Sequence, residues 1–156
     1  MIWYFGYGSN MSPAIFMARR KMRPLATCRA WLAGYRLCFN IPVGPGERGV
    51  ANLEPEADAR TWGVLYLLTP TDCERLDRSE GVPAGIYARL AVSVNVGPDA
   101  PVDAFTYRSS LTMAGRKASP RYMGLLLDGA RRHGLPAEYL RFLESFALAR
   151  DEREEP

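Results

Sequence analysis

The hydrophobic pattern of this chain shifts from mostly strand-like to helical in its last third, and that change limits the fold more than any other feature. As far as Arg108, apolar residues mostly alternate or run in short blocks, as strands require. Met1 to Phe5 is apolar and aromatic and reads as a strand, and Pro13 to Arg20 as a brief helix. Tyr35 to Ile41 alternates, and Pro42 to Gly49 carries two prolines and three glycines and reads as a loop. Gly49 to Leu53 and Thr61 to Leu68 follow as strands, the second almost continuously apolar and therefore central. Thr69-Pro70-Thr71-Asp72 is a capping signature for a short helix ending near Arg78. Tyr87 to Val96 and Val102 to Arg108 are two more strands, separated by a Gly-Pro-Asp turn. From Ser119-Pro120 onward the period becomes helical. Met123, Leu126, Leu127 and Ala130 make one buried face before Gly134, and Tyr139, Leu140, Phe142, Leu143 and Phe146 make a second. Strands first and helices at the edges predict a mixed α+β domain around a small, mostly antiparallel, barrel-like sheet with surrounding short helices, not a doubly wound one.

A chain of 156 residues is read as one domain over 1–149, able to bury about two-thirds of its unfolded surface. Residues 150–156 are almost wholly charged and read as a frayed end. The net charge of +3 comes with arginines that are scattered rather than striped, which argues against nucleic acid as a partner. No apolar run approaches the ~20 residues of a membrane span, and the first residues lack a signal-peptide pattern. Cys28, Cys38 and Cys73 show no Cys-x-x-Cys spacing, so they read as reduced, inert, buried thiols in a cytoplasmic protein. His133 is the single histidine, which excludes a multi-histidine metal centre. Beside Arg131 and Arg132 it reads as a structural cation in a last helical turn. No metal and no cofactor are expected.

Two stretches carry chemistry. In Tyr4-Phe5-Gly6-Tyr7-Gly8-Ser9-Asn10-Met11 a strand ends in a glycine-bearing turn, and Ser12-Pro13 then signals a helix start. Such a turn gathers backbone N–H groups suited to a carboxylate or a developing oxyanion. The same glycines and asparagine also serve where a turn needs only backbone freedom. The third glycine of a dinucleotide fingerprint is replaced by Met11, and no Gly-Lys-Ser/Thr follows, so neither nucleotide motif is present. In the second stretch, Leu76 to Tyr87, Glu80 stands after a short helix at the entrance to a loop containing Gly81, Val82, Pro83 and Gly85. Held there, its carboxylate can be aimed into a pocket, or it can simply end the helix in solvent.

Together the two stretches resemble the γ-glutamylcyclotransferase family. Phe5-Gly6-Tyr7-Gly8-Ser9-Asn10-Met11 is similar to that family's Tyr-Gly-Ser-Asn loop, and Leu76-Asp77-x-x-Glu80-Gly81-Val82-x-x-Gly85-x-Tyr87 to the segment around its catalytic glutamate. A third match lies in Ser119-Pro120-Arg121-Tyr122 and in Gly129-Ala130 through Gly134-Leu135-Pro136-x-x-Tyr139. The resemblance runs in order from Tyr4 to about Leu143, and Tyr-Gly-Ser-Asn leans towards the γ-glutamyl-amino-acid branch. It implies a small β-barrel with helices around it and a cofactor-free cyclisation. In that reaction the α-amine of a γ-glutamyl compound attacks its own γ-carbonyl, giving 5-oxoproline and a free amine. It implies Glu80 as the proton shuttle, Tyr4, Phe5, Gly6, Tyr7, Gly8, Ser9 and Asn10 as substrate-binding residues, and a phenolic hydrogen bond from Tyr122. The partner implied is a small γ-glutamyl molecule, with a homodimer left open. The alternatives are a γ-glutamylamine or biosynthetic γ-glutamyl-removing enzyme of the same fold, or a ligand-binding member without catalysis. The segments 42–56 and 109–118 are expected to shape the leaving-group pocket.

Overall fold

The computed structural model describes residues 1–150. Five strands form one sheet: β1 (Ile2–Gly6), β2 (Ala26–Pro42), β3 (Gly49–Leu68), β4 (Ala88–Val94) and β5 (Val102–Arg108). Their order is β2-β3-β1-β5-β4, and every pairing is antiparallel except β1 with β5. The sheet curls until its two edges meet at one bridge, where Trp31 and Asn95 exchange two hydrogen bonds of 2.9 Å. The expected mixed, mostly antiparallel α+β architecture is therefore present, but the barrel is not closed by a ladder. Beyond Asn95 the chain enters Gly97-Pro98, and proline has no N–H with which to extend pairing to β2.

β2 and β3 are far longer than alternation predicted. They form one ribbon paired from Ala26↔Leu67 to Pro42↔Gly49, including 26–34 and 54–60, which the sequence left unassigned. Much of that extra length is exposed on both faces, so its hydrogen bonding leaves no hydrophobic period to read. The ladder slips twice. Residues 56–59 stand opposite Gly34, at a left-handed φ of 85°, and Phe39 and Asn40 together face Ala51.

Pro13 to Arg20 folds as a single π-turn, Ala14–Arg19, followed by Lys21 at φ 60°. Three helices follow: α1 (Pro70–Ser79), α2 (Pro120–Arg132) and α3 (Ala137–Glu144). Thr69 and Ser119 cap α1 and α2 by accepting from the N–H of Asp72 and Tyr122, each at 3.1 Å, with proline at the first helical position. On α2, Met123, Leu126 and Ala130 are buried as expected, with Leu127 at the margin. On α3, Tyr139 and Leu143 are buried, but Phe142 is 40% exposed, its ring tilted against Tyr139 and edge-on to Phe146. At the start of the expected tail, the Arg150 N–H donates to Glu47 at 2.9 Å, and buried Ala149 donates to the Ala118 carbonyl at 2.8 Å. Residues 151–156 of the expected tail lie outside the described residues. Cys38 and Cys73 are buried as expected, whereas Cys28 is exposed on β2. Among the described residues no helix is long and apolar enough to cross a membrane.

Candidate active site

β1 alternates its side chains across the sheet, so Tyr4 and Phe5 face opposite ways. Phe5 is fully buried, and its ring fills the space where a Cβ on Gly63 would lie, 2.8 Å away. Beyond Gly6 the chain turns through Ser9–Met11, a short 3₁₀ turn whose first hydrogen bond is from the Met11 N–H to the Gly8 carbonyl at 3.1 Å. The N–H groups before that bond lack intrahelical partners by position.

α2 braces this turn with one stripe. Tyr122, Leu126, Gly129 and His133 share a face at i, i+4, i+7 and i+11. The Tyr122 hydroxyl accepts from the Ala51 N–H at 3.1 Å and also hydrogen-bonds Ser9. A Cβ on Gly129 would fall 2.5 Å from the Met11 carbonyl carbon, so only glycine lets helix and turn approach this closely. His133 places Nε2 3.1 Å from the Met11 carbonyl and 3.5 Å from the Tyr66 hydroxyl. Burial lowers its pKa, against the Met11 hydrogen bond. The sequence predicted a helix-end cation there; the structure uses a neutral imidazole as a pin, because a half-buried ring facing a carbonyl gains more from one N–H than from a desolvated charge.

Glu80 reaches the same place from α1. It follows the last helical residue, donates its N–H to the Leu76 carbonyl at 2.9 Å, and stays in phase with the buried Cys73 and Leu76. Gly81, at φ 72°, then reverses the chain. The side chain of Glu80 is only 12% exposed, so it is not a solvated helix end. Asn10 Nδ2 donates to Glu80 Oε1 and to the Tyr4 hydroxyl, each at 2.8 Å. Burial raises the Glu80 pKa; Arg20 and then the Asn10 hydrogen bond oppose that rise.

Around the carboxylate is a small pocket lined by Tyr4, Tyr7, Tyr87, Tyr107 and Tyr122, with Gly8, Ser9, Asn10 and Ala51. It opens through a wider mouth edged by Arg20, Arg78 and Gly81. The phenols are tied into the frame: Tyr7 donates to the Tyr107 carbonyl at 2.6 Å and Tyr87 to the Ala51 carbonyl at 2.8 Å. Burial holds Tyr4, Tyr7, Tyr87 and Tyr107 well above the ordinary tyrosine value and brings Tyr122 to about 12, so all five are neutral at pH 7. A carboxylate that can exchange a proton, inside a wall of neutral hydroxyls, is equipped for acid–base chemistry on a small polar molecule.

Residues 60–143 match the AIG2-like family. The chain is 30% identical over 142 residues to the γ-glutamylcyclotransferase of Homo sapiens, an alignment spanning 87% of this chain and 73% of that protein. The chain belongs to the γ-glutamylcyclotransferase (AIG2-like) family. It is also 39% identical over 146 residues to the γ-glutamyl cyclotransferase gliK of Claviceps purpurea, covering 85% of this chain but only 64% of that longer protein. A solved γ-glutamyl cyclotransferase structure superposes with a TM-score of 0.86 at 23% identity, over 98% of this chain and 92% of that one, so the fold is shared along almost its whole length.

Of the residues singled out from sequence, the fold brings Tyr4, Tyr7, Gly8, Ser9, Asn10, Glu80 and Tyr122 into one pocket of this family member, while Phe5 and Gly6 do not line it. Of the segments expected to shape the pocket, 42–56 supplies Ala51 to its wall, while 109–118 does not line it. Sequence reading missed Tyr87 and Tyr107 as wall residues and Arg20 at the mouth. Tyr87 ended the glutamate motif and could have been found there. Arg20, after a π-turn, leaves no local signal.

Proposed function

We propose that the protein is a γ-glutamylcyclotransferase in activity as well as in family, releasing 5-oxoproline and a free amino acid from a cytoplasmic γ-glutamyl compound. The observation that carries this reading is Glu80: one desolvated carboxylate, hydrogen-bonded by Asn10 and facing a small pocket of neutral hydroxyls. The nucleophile is the substrate's own α-amine, so the protein has to fold the substrate and move protons. Backbone N–H groups of the 7–10 turn fix the γ-glutamyl group and polarise its γ-carbonyl. The Tyr122 hydroxyl adds a hydrogen bond. Glu80 takes a proton from the attacking nitrogen as the new C–N bond closes the five-membered lactam. It returns that proton to the departing nitrogen as the old C–N bond breaks. The ammonium loses two protons in all and the leaving amine gains two, so Glu80 makes this transfer twice, the amine departs as an ammonium and Glu80 ends as a carboxylate. Holding the amine against its own carbonyl supplies the proximity advantage of an intramolecular reaction. The names of the relatives support the activity; the leaving group rests on the Tyr-Gly-Ser-Asn loop alone.

The test compares a γ-glutamyl dipeptide with its N-acetyl derivative, reading 5-oxoproline and amino acid by mass spectrometry. The free-amine compound should yield both products in equal amounts, and the acetylated compound neither. Release of amino acid from the acetylated compound at a similar rate would mean that water, not the substrate's amine, is the nucleophile.

A further inference from the structure

The side chain of Asn10 makes no free offer to a substrate. Both hydrogens of its amide are committed, to Tyr4 and to Glu80, and its Oδ1 accepts from Arg20 Nε at 2.7 Å. Its backbone carbonyl accepts from the Tyr66 hydroxyl at 2.8 Å. An asparagine amide can be turned end for end, and only a donor on Oδ1 keeps Nδ2 towards the carboxylate. Arg20 is that donor. The same guanidinium sets Nη2 3.8 Å from Glu80 Oε1 and places Nη1 3.5 Å from the Ser79 carbonyl. Its side chain is 21% exposed, covered enough for its charge to act on Glu80 with limited screening.

The local backbone supports the same conclusion. Arg20 closes the π-turn, donating its N–H to the Ile15 carbonyl at 2.9 Å, and the next residue, Lys21, is the one described non-glycine residue in the left-handed region. A π-turn followed by a left-handed lysine is costly local geometry, of a kind that clusters where a side chain must be aimed.

We propose that Arg20 is a positioning residue for Glu80: through Asn10 it fixes the direction of the carboxylate, and by its own charge it keeps that largely buried carboxylate ionised. The charged groups bordering the pocket and its mouth, among the described residues, are Arg20, Arg78 and Glu80 itself. The neutral titratable or hydrogen-bonding groups facing Glu80 are Asn10, Tyr4 and Tyr7 from the first strand and turn, Tyr87 ahead of β4, and Tyr122 on α2. Arg78 lies on α1 with Glu80 and edges the outer mouth without an ion pair to it, so the stabilising charge is assigned to Arg20. The inference rests on the cyclotransferase reading for its consequence in turnover, but not for its electrostatics.

The test therefore has two readouts. Glu80 is titrated by carboxyl-carbon NMR, and kcat/KM for a γ-glutamyl dipeptide is followed against pH, in the wild type, Arg20→Gln and Arg20→Lys. In Arg20→Gln the Glu80 midpoint and the acid limb of the rate profile should both rise by about one unit, the lower end of what one adjacent opposite charge supplies. The loss should appear in kcat more than in KM. Arg20→Lys keeps the charge but not the planar fork, so its midpoint should stay near the wild-type value while kcat falls by up to about 100-fold from misaim. A purely structural role would lower the melting temperature and leave the midpoint in place. That outcome, or an unmoved midpoint in a fully folded Arg20→Gln, overturns the proposal. If the midpoint moves but no γ-glutamyl compound is turned over by the wild type, the positioning role stands and the proposed activity falls.

Discussion

Asp77 and Glu80 lie three residues apart at the end of α1, and their surroundings could hardly differ more. Asp77 is saturated: Arg89 Nε donates to its two oxygens at 2.8 and 3.0 Å, and the Tyr107 hydroxyl donates at 2.6 Å. Glu80 has one neutral donor at 2.8 Å and a guanidinium nitrogen at 3.8 Å, and burial pushes its pKa up. A carboxylate paired at close range fastens β4 and β5 to α1. A carboxylate desolvated and only partly compensated can take up a proton and give it back, which is what the proposed cyclisation asks of it.

The largest expected effect separates the two. Glu80→Gln keeps shape and reach but cannot accept a proton, so turnover of a γ-glutamyl dipeptide should fall by about two to four orders of magnitude. Steady-state kinetics on the folded variant decide this, and a nearly active Glu80→Gln would sink the shuttle role. Asp77→Asn should do the reverse. It takes the counter-charge from Arg89 and one acceptor from Tyr107, costing about 1–2 kcal/mol in denaturant unfolding because the pair is partly exposed. Turnover should fall much less than in Glu80→Gln, and a comparable fall would mean that the two carboxylates act as one unit.

The smallest effect is thermodynamic. Because the Glu80 pKa in the folded protein lies above the ordinary 4.5, the native state binds more protons than the unfolded chain between those two values. Stability from this group is therefore full below the ordinary value and is lost as pH rises through the raised one. Glu80→Gln escapes that loss. Its melting temperature relative to wild type should climb from about pH 4 upward and level off once Glu80 is ionised in both states. A flat difference across that range would show that the wild-type carboxylate is not held in a costly environment.

Much of the site is legible in the sequence because its anchors obey local rules. The strand-to-turn change at Gly6 to Asn10, the two Ser/Thr-x-x caps and the helical period of α2 are all set within a few residues. The spacing of Cys73, Leu76 and Glu80 also carries a readable signal, that the glutamate continues a buried face. Assigning Glu80 to the following loop hides that continuity.

The sequence by itself determined the α+β class, the starts of α1 and α2 and the turn that precedes the site, since each depends on the period or chemistry of neighbouring residues; Glu80 is singled out by the resemblance of its segment to the family's motif. Only the tertiary structure decided the rest. The ribbon of β2 and β3 is held by cross-strand hydrogen bonds that leave no hydrophobic period where both faces meet water. Tyr107 and Ala51 reach the pocket from strands distant in the chain, and Arg20 reaches Glu80 across sixty residues. Such placements follow from how elements pack, and local propensity carries no record of what a side chain will meet when the sheet curls.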